Sequence, residues 1–215
     1  AIYNCSLIDS KQRTVKQFTD SDLGIPNELT EQTSHERSDQ GLLKLSASYK
    51  PNGSNQMDYD VLSRISKDSQ NQNLVSDVIG NTSQLDETTP FSINQNLNYY
   101  YTLNETNIFA FEAQHLLKDE DPFYNAIIED KENYESTAVS IGLDRDQQNY
   151  NINQSRRIKS SQLDAKLDYY YIINPKSNLN VTFGSIFSHQ KFNSNLFQFL
   201  DDGLAFNPTP NFNSG

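Results

Sequence analysis

The chain has 215 residues, of which only 35 % are hydrophobic, yet it carries 12 Tyr and 12 Phe; its mean hydropathy is −0.73. That is few aliphatic side chains for the core of a water-soluble domain of this length, and many aromatics for a disordered chain. A net charge of −11 would repel the phosphates of a nucleic acid, and the single cysteine, Cys5, excludes an internal disulfide framework and a multi-cysteine zinc site.

No run of about 18 apolar residues provides a transmembrane helix. No signal peptide opens the chain. It starts without Met and its last residues read as mid-loop, so the sequence is expected to be a piece of something longer.

Helical periodicity is poor, whereas period-two alternation recurs along the chain. A first strand is expected within residues 2–18. Next come Leu43, Leu45, Ala47 and Tyr49 against Lys44, Ser46, Ser48 and Lys50. Residues 57–66 set Met57, Tyr59, Val61 and Ile65 against Asp58, Asp60 and Arg64, with Leu62 breaking the polar set. Residues 91–103 set Phe91, Ile93, Leu97, Tyr99, Tyr101 and Leu103 against Ser92, Asn94, Asn96 and Asn98. Phe109, Phe111, Ala113 and Leu117 alternate with Glu112 and Gln114. Leu163, Ala165, Leu167, Tyr169, Tyr171 and Ile173 alternate with Gln162, Asp164, Lys166 and Asp168. Finally Leu179, Val181, Phe183 and Phe187 alternate with Asn180, Thr182, Ser188 and Gln190.

Three links, 50–56, 102–107 and 173–178, are short and rich in turn formers. The others, 18–40, 68–90, 119–160 and 193–215, read as long polar loops. Strict alternation of short and long links predicts an antiparallel up-and-down meander with all short turns on one side. Tyr49, Tyr101 and Tyr171 each stand three residues before an asparagine, Asn52, Asn104 and Asn174, and a second asparagine follows at Asn55, Asn107 and Asn178. The three hairpins therefore read as copies of one unit.

Tyr49, Tyr99, Tyr101, Tyr169 and Tyr171 all precede short turns and should fall at one level. A ring with a polar tip is favoured where hydrocarbon meets water, so such a band reads as the interfacial girdle of a transmembrane β-barrel. Leu43, Leu45, Phe109, Phe111, Leu163, Leu167, Val181 and Phe183 are then the lipid face. Lys44, Asp58, Asp60, Arg64, Glu112, Asp164, Lys166 and Asp168 are the wet lumen, where opposite charges on neighbouring strands can pair and fix register. His115 and His189 fall near the far interface. A soluble, secreted β-sandwich that binds carbohydrate would share the alternation, but it would fold cooperatively in water.

The stretches 41–70, 97–125 and 166–195 resemble barrel strands of TonB-dependent outer-membrane receptors of Bacteroidetes-type bacteria. The resemblance spans most of 37–200 and rests on strand–turn texture. It implies about seven strands of a larger barrel with short periplasmic turns and long extracellular loops. The plug domain and the remaining strands would lie outside residues 1–215. It also implies import of a scarce nutrient, such as a siderophore or a glycan, across the bacterial outer membrane. The implied partners are outer-membrane lipid, the TonB energy-coupling protein acting through the absent plug, and a surface lipoprotein over the loops. Another large barrel, a porin or an export translocon, would lack the plug.

No catalytic constellation is present: no Gly-rich phosphate loop, no His-Glu-x-x-His and no Gly-x-Ser-x-Gly. The chain is expected not to be an enzyme and to need no cofactor. The acidic clusters at 118–122, 128–132 and 201–202 could offer oxygen ligands to Ca²⁺, but without a recognisable spacing they read as solvated surface. Ligand capture is expected from aromatics on the outer loops: Phe123, Tyr124, Tyr134, Tyr150, Phe197 and Phe199, with Phe206 and Phe212 beyond them.

Overall fold

The structure, a computed structural model, describes residues 1–17, 27–78 and 80–208; Phe212 and residues 18–26 of the expected loop at 18–40 lie outside them. Ten strands form a single antiparallel sheet. They are β1 (Ile2–Lys16), β2 (Glu28–Asn52), β3 (Asn55–Ser76), β4 (Gly80–Thr88), β5 (Phe91–Asn104), β6 (Asn107–Glu120), β7 (Phe123–Ile128), β8 (Tyr150–Asn174), β9 (Ser177–Phe199) and β10 (Ala205–Phe206). A 3₁₀ turn (Glu132–Tyr134) leads into α1 (Glu135–Ile141), the one α-helix among the described residues.

Two pairs of strands are collinear. β4 and β5 lie end to end along β3 in one register, Asp68 opposite Thr88 and Ile65 opposite Phe91. β7 and β6 do the same along β8, Ser155 opposite Phe123 and Ile158 opposite Glu120. The interruptions are Thr89–Pro90 and Asp121–Pro122, side by side. Proline has no N–H to give the ladder, but its carbonyl still accepts: Ser66 N–H donates to Pro90 O at 3.0 Å and Arg156 N–H to Pro122 O at 2.9 Å. The Asp121 carboxylate takes both the Thr89 N–H, at 2.7 Å, and the Thr89 hydroxyl. With the two-residue β10 set aside, the sheet is a meander of seven long rails, as the alternation predicts.

The short turns fall where expected, at 52–55, 104–107 and 174–177, each preceded by a bulge. The opposite end departs from expectation. The supposed loops at 28–40, 68–76, 80–88 and 123–128 are strand, and so are the ends of β8 and β9. Here Asn, Gln, Ser and Thr occupy both faces, so the backbone ladder persists after the hydrophobic alternation has gone. The link after β3 is tight, because Gly80 takes a left-handed φ of 77°. The alternation of short and long links therefore fails at that point. Within the expected long loop at 119–160, Glu135–Ile141 is α1, ended by Gly142 at φ 73°.

Almost no core forms. The buried hydrophobic cluster is Ile128, Ala138, Leu143 and Tyr150, with Tyr134, Ile141 and Ile152 packed against it. It sits where α1 folds back over the far ends of β7 and β8. Accessible surface totals 14386 Å², whereas a compact water-soluble monomer of 24.6 kDa exposes about 10,000 Å². The excess follows from a single-layer sheet, with no second sheet among the described residues for a sandwich.

Candidate functional site

Apart from the single pair beyond the bulge at each short turn, the ladders pair odd residues with odd, so odd side chains share one face from β1 to β9 and even side chains the other. Rows across the sheet can therefore be read directly. Near the short turns one odd row is Tyr101, Phe109, Tyr169 and Val181; the next is Tyr49, Met57, Tyr99, Phe111, Leu167 and Phe183. Above them run Leu45, Val61, Gln95, His115, Leu163 and Phe187, then Leu43, Ser63, Ile93, Leu117, Ser161 and His189. Every expected apolar-face residue lies on this surface. Several stand far out of any packing: Leu45 is 60 % exposed, Phe183 70 % and Phe187 64 %.

The tyrosine band has a bonding logic the sequence only half reveals. Phe109 stacks between Tyr101, with centroids 6.4 Å apart, and Tyr169, at 4.9 Å. The first asparagine of each hairpin caps its own turn: Asn52 Oδ1 accepts from Ser54 N–H at 3.0 Å, Asn104 Oδ1 from Thr106 N–H at 3.0 Å, and Asn174 Oδ1 from Lys176 N–H at 2.9 Å. The second asparagine is met by a tyrosine of the next hairpin: Tyr99 Oη donates to Asn55 Oδ1 at 2.7 Å, Tyr169 Oη to Asn107 Oδ1 at 2.5 Å. The partners are thus Tyr99 and Tyr169 rather than the Tyr101 and Tyr171 of the repeat, because bonding crosses hairpins. Tyr49 stands on the same surface, 61 % exposed.

The even face carries the predicted polar set, and the structure joins it across strands. Asp58 accepts from the Ser48 hydroxyl at 2.6 Å and from Gln56 Nε2 at 2.9 Å. Asp60 is bonded by Ser46 and lies 3.9 Å from Lys44 Nζ. Lys166 Nζ reaches Glu112 at 3.1 Å and Asp168 at 3.7 Å, and Thr182 donates to Asp168. Asp164 accepts from Gln162 at 3.0 Å, while Arg64 faces Gln40. Asn96, Asn98, Glu112, Gln114, Asp164, Lys166, Gly184 and Ile186 line an open hollow of about 640 Å³ on this face. His115 bridges Gln95 and Ser161 on the other face, at 3.4 and 3.1 Å, with no carboxylate beside it in these contacts.

Beyond the Leu43 row the odd face turns polar on β6, β8 and β9, while Ile65 and Phe91 keep the next row apolar on β3 and β5. Asp119, Lys159 and Lys191 stand in the next row, and Asp39, Lys67 and Arg157 in the one after. Asp119 holds Arg157 at 2.9 Å and Lys159 at 3.4 Å, and the Arg157 hydrogen bond keeps its carboxyl below the ordinary range. Asp39 accepts from Tyr3 Oη and Arg37 Nε, both at 2.7 Å; these, with Cys5, bring its pKa down to about 2.

The expected ligand aromatics do not sit on loops. Phe123 and Tyr124 are in β7, Phe197 and Phe199 in β9, where their rings meet edge to face at 5.2 Å. Burial raises the Tyr124 hydroxyl pKa, and the same cause raises that of nearby Asp86 against the pull of Arg156. Tyr134 lies in the 3₁₀ turn and packs on the small core. Tyr150 is completely buried, its ring under Lys131 Nζ at 5.3 Å and its Oη donating to Glu135 at 3.0 Å. It is a packing residue, not a ligand platform. The contacts that hold this region were not legible in the sequence: the buried Gln198 amide accepts from Asp144 N–H at 2.9 Å and donates to Asp144 O at 3.0 Å, as a strand backbone would.

Among the described residues no cluster of His, Cys, Asp and Glu is arranged to hold a metal ion. No protein-family model matches the chain, and no curated protein matches it.

Proposed function

We propose that this chain is a membrane-spanning part of an outer-membrane β-barrel of the TonB-dependent receptor kind, non-catalytic and serving nutrient import. The observation that carries the reading is the odd face: predominantly apolar rows, interrupted by Gln95, His115, Ser63, Ser161 and His189, exposed across the rails β2 to β9 and edged by a stacked tyrosine band. In β8 the apolar positions run from Leu163 to Ile173, which matches the roughly 9–11 residues that carry a tilted strand across hydrocarbon. The even face, with its cross-strand carboxylate and lysine contacts, serves as the lumen wall. The strands continue well past the apolar rows, so the far end forms a polar sheet standing above the outer leaflet. There Phe123, Tyr124, Phe197 and Phe199 are the aromatics available to a nutrient ligand or to a surface lipoprotein. A plug domain encoded upstream of Ala1 would receive the TonB protein; a porin or an export translocon would have none.

The test is flotation. Refolded from urea in the presence of phosphatidylcholine vesicles, the chain should float with them, gain β-structure and protect the apolar rows from aqueous labelling. A monomeric protein with a cooperative melt in plain buffer would overturn the reading.

A further inference from the structure

The row just above the apolar band breaks a rule of sheet construction. Lys159 on β8 and Lys191 on β9 are direct cross-strand partners, and like charges placed opposite one another destabilise a sheet. Arg157 lies one step further along the same face. Three cations thus meet two carboxylates: Asp119, which already serves Arg157 and Lys159, and Asp121, which is hydrogen-bonded by Thr89 and lies within electrostatic reach of Arg157. Lys191 has no ion pair among the described residues. This happens in a chain whose net charge is −11, so the local excess is no by-product of composition. The next row down on these two strands is Ser161 and His189; below it Leu163 and Phe187 are partners in the apolar row, with Leu167 and Phe183 two rows further on.

We infer that Lys159, Lys191 and Arg157 form a site for the phosphate-bearing headgroup of an outer-leaflet lipid whose acyl chains lie along Leu163, Phe187, Leu167 and Phe183. The inference rests on the membrane reading above. An anionic headgroup supplies the charge that the two lysines lack in each other, and the apolar ridge below supplies the hydrocarbon contact. A free phosphate would use only the upper half of the site, so the occupant is the lipid.

The experiment compares vesicles of phosphatidylcholine alone with vesicles that also contain phosphatidic acid. After transfer to a neutral detergent, the lipid retained on the chain is counted by native mass spectrometry. Wild type is expected to retain phosphatidic acid over phosphatidylcholine by about fivefold per lysine engaged. The preference should vanish in K159Q/K191Q, survive in K159R/K191R, and be untouched by K11Q/K16Q on β1. Since the lysines repel each other, K159Q/K191Q should fold at least as well as wild type. Insertion with equal retention of both lipids, or a preference that K159Q/K191Q leaves intact, overturns the site while leaving the membrane reading standing. Failure to float with phosphatidylcholine alone overturns that reading, and this inference with it.

Discussion

At the scale of single residues, the tyrosine–asparagine contacts are the most exposed to test. Asn107 Nδ2 donates to Asn104 Oδ1 at 2.9 Å while Asn107 Oδ1 accepts from Tyr169 Oη, so Asn107→Ala removes a link within one hairpin and a link to the next. Net hydrogen bonds of this kind contribute about 1 kcal/mol each. We expect a loss of roughly 1–2 kcal/mol, read from urea unfolding in detergent; Asn178→Ala on β9, outside these contacts, should cost less. Tyr150 separates packing from hydrogen bonding. Tyr150→Phe gives up only the Glu135 contact and should cost about 1 kcal/mol, whereas Tyr150→Ala empties the small core and should cost about 3–5 kcal/mol. Acid sensitivity divides two carboxylates by sign. Asp39 is held from 3.8 down to about 2, so its contribution is complete above the ordinary carboxylate value and is lost as pH falls towards about 2; Asp39→Asn should flatten the acid limb there. Asp86 is raised by burial. Its charged form costs the fold, and Asp86→Asn at neutral pH should leave the unfolding midpoint unchanged or raise it.

At the scale of elements, the turns and breaks decide how far each rail runs. Gly80 takes a left-handed φ, and a Cβ there would come within 2.4 Å of Asp130 Cβ. Gly80→Ala therefore carries the left-handed cost of about 1–2 kcal/mol together with a clash, and should open the β3–β4 connection to hydrogen exchange. Gly53, at the tip of a short turn, has nothing within 4 Å of such a Cβ, so Gly53→Ala should be close to neutral. Period-two alternation located the rails wherever one face is apolar, since there the side-chain pattern repeats with the pleat. It failed from 28 to 40 and from 68 to 88, where Asn, Gln, Ser and Thr on both faces carry no period. Those strands are held by register inherited from their neighbours: Gln32 bonds Gln72 at 3.1 Å and Ser83 bonds Asn73 at 2.9 Å. α1 escaped for a different reason. It is short, without a side-chain N-cap bond, and only its packing on Ile128 and Tyr150 makes it a helix.

At the scale of the whole molecule, one sheet presents an apolar face that nothing among the described residues covers, opposite a polar face that bonds to itself. A solvent that is hydrocarbon at the middle and water at both ends satisfies both faces, and this is the ground of the membrane reading. The sheet also has open edges. Among the described residues, Ile2 is opposite Leu42, so residues 43–52 of β2 lack a partner strand on that side, and β9 is paired on its outer side only by β10 at Gln198 and Phe199. Unpaired edges of this length template aggregation. The chain in plain buffer is expected to aggregate, and in detergent to disperse with its β-structure retained; light scattering and circular dichroism would check both.

The sequence by itself determined the parity of the faces, the level of the tyrosines, the short turns and the meander. All of these follow from local rules: the two-residue pleat, turn chemistry and the preference of an amphipathic ring for an interface. Only the tertiary structure decided where the rails end, that Asp121 bridges the break at Thr89, that Tyr150 and Gln198 are buried, and that Lys159 confronts Lys191. Each of these depends on which residue a neighbouring rail brings alongside, and no window of one strand carries that information.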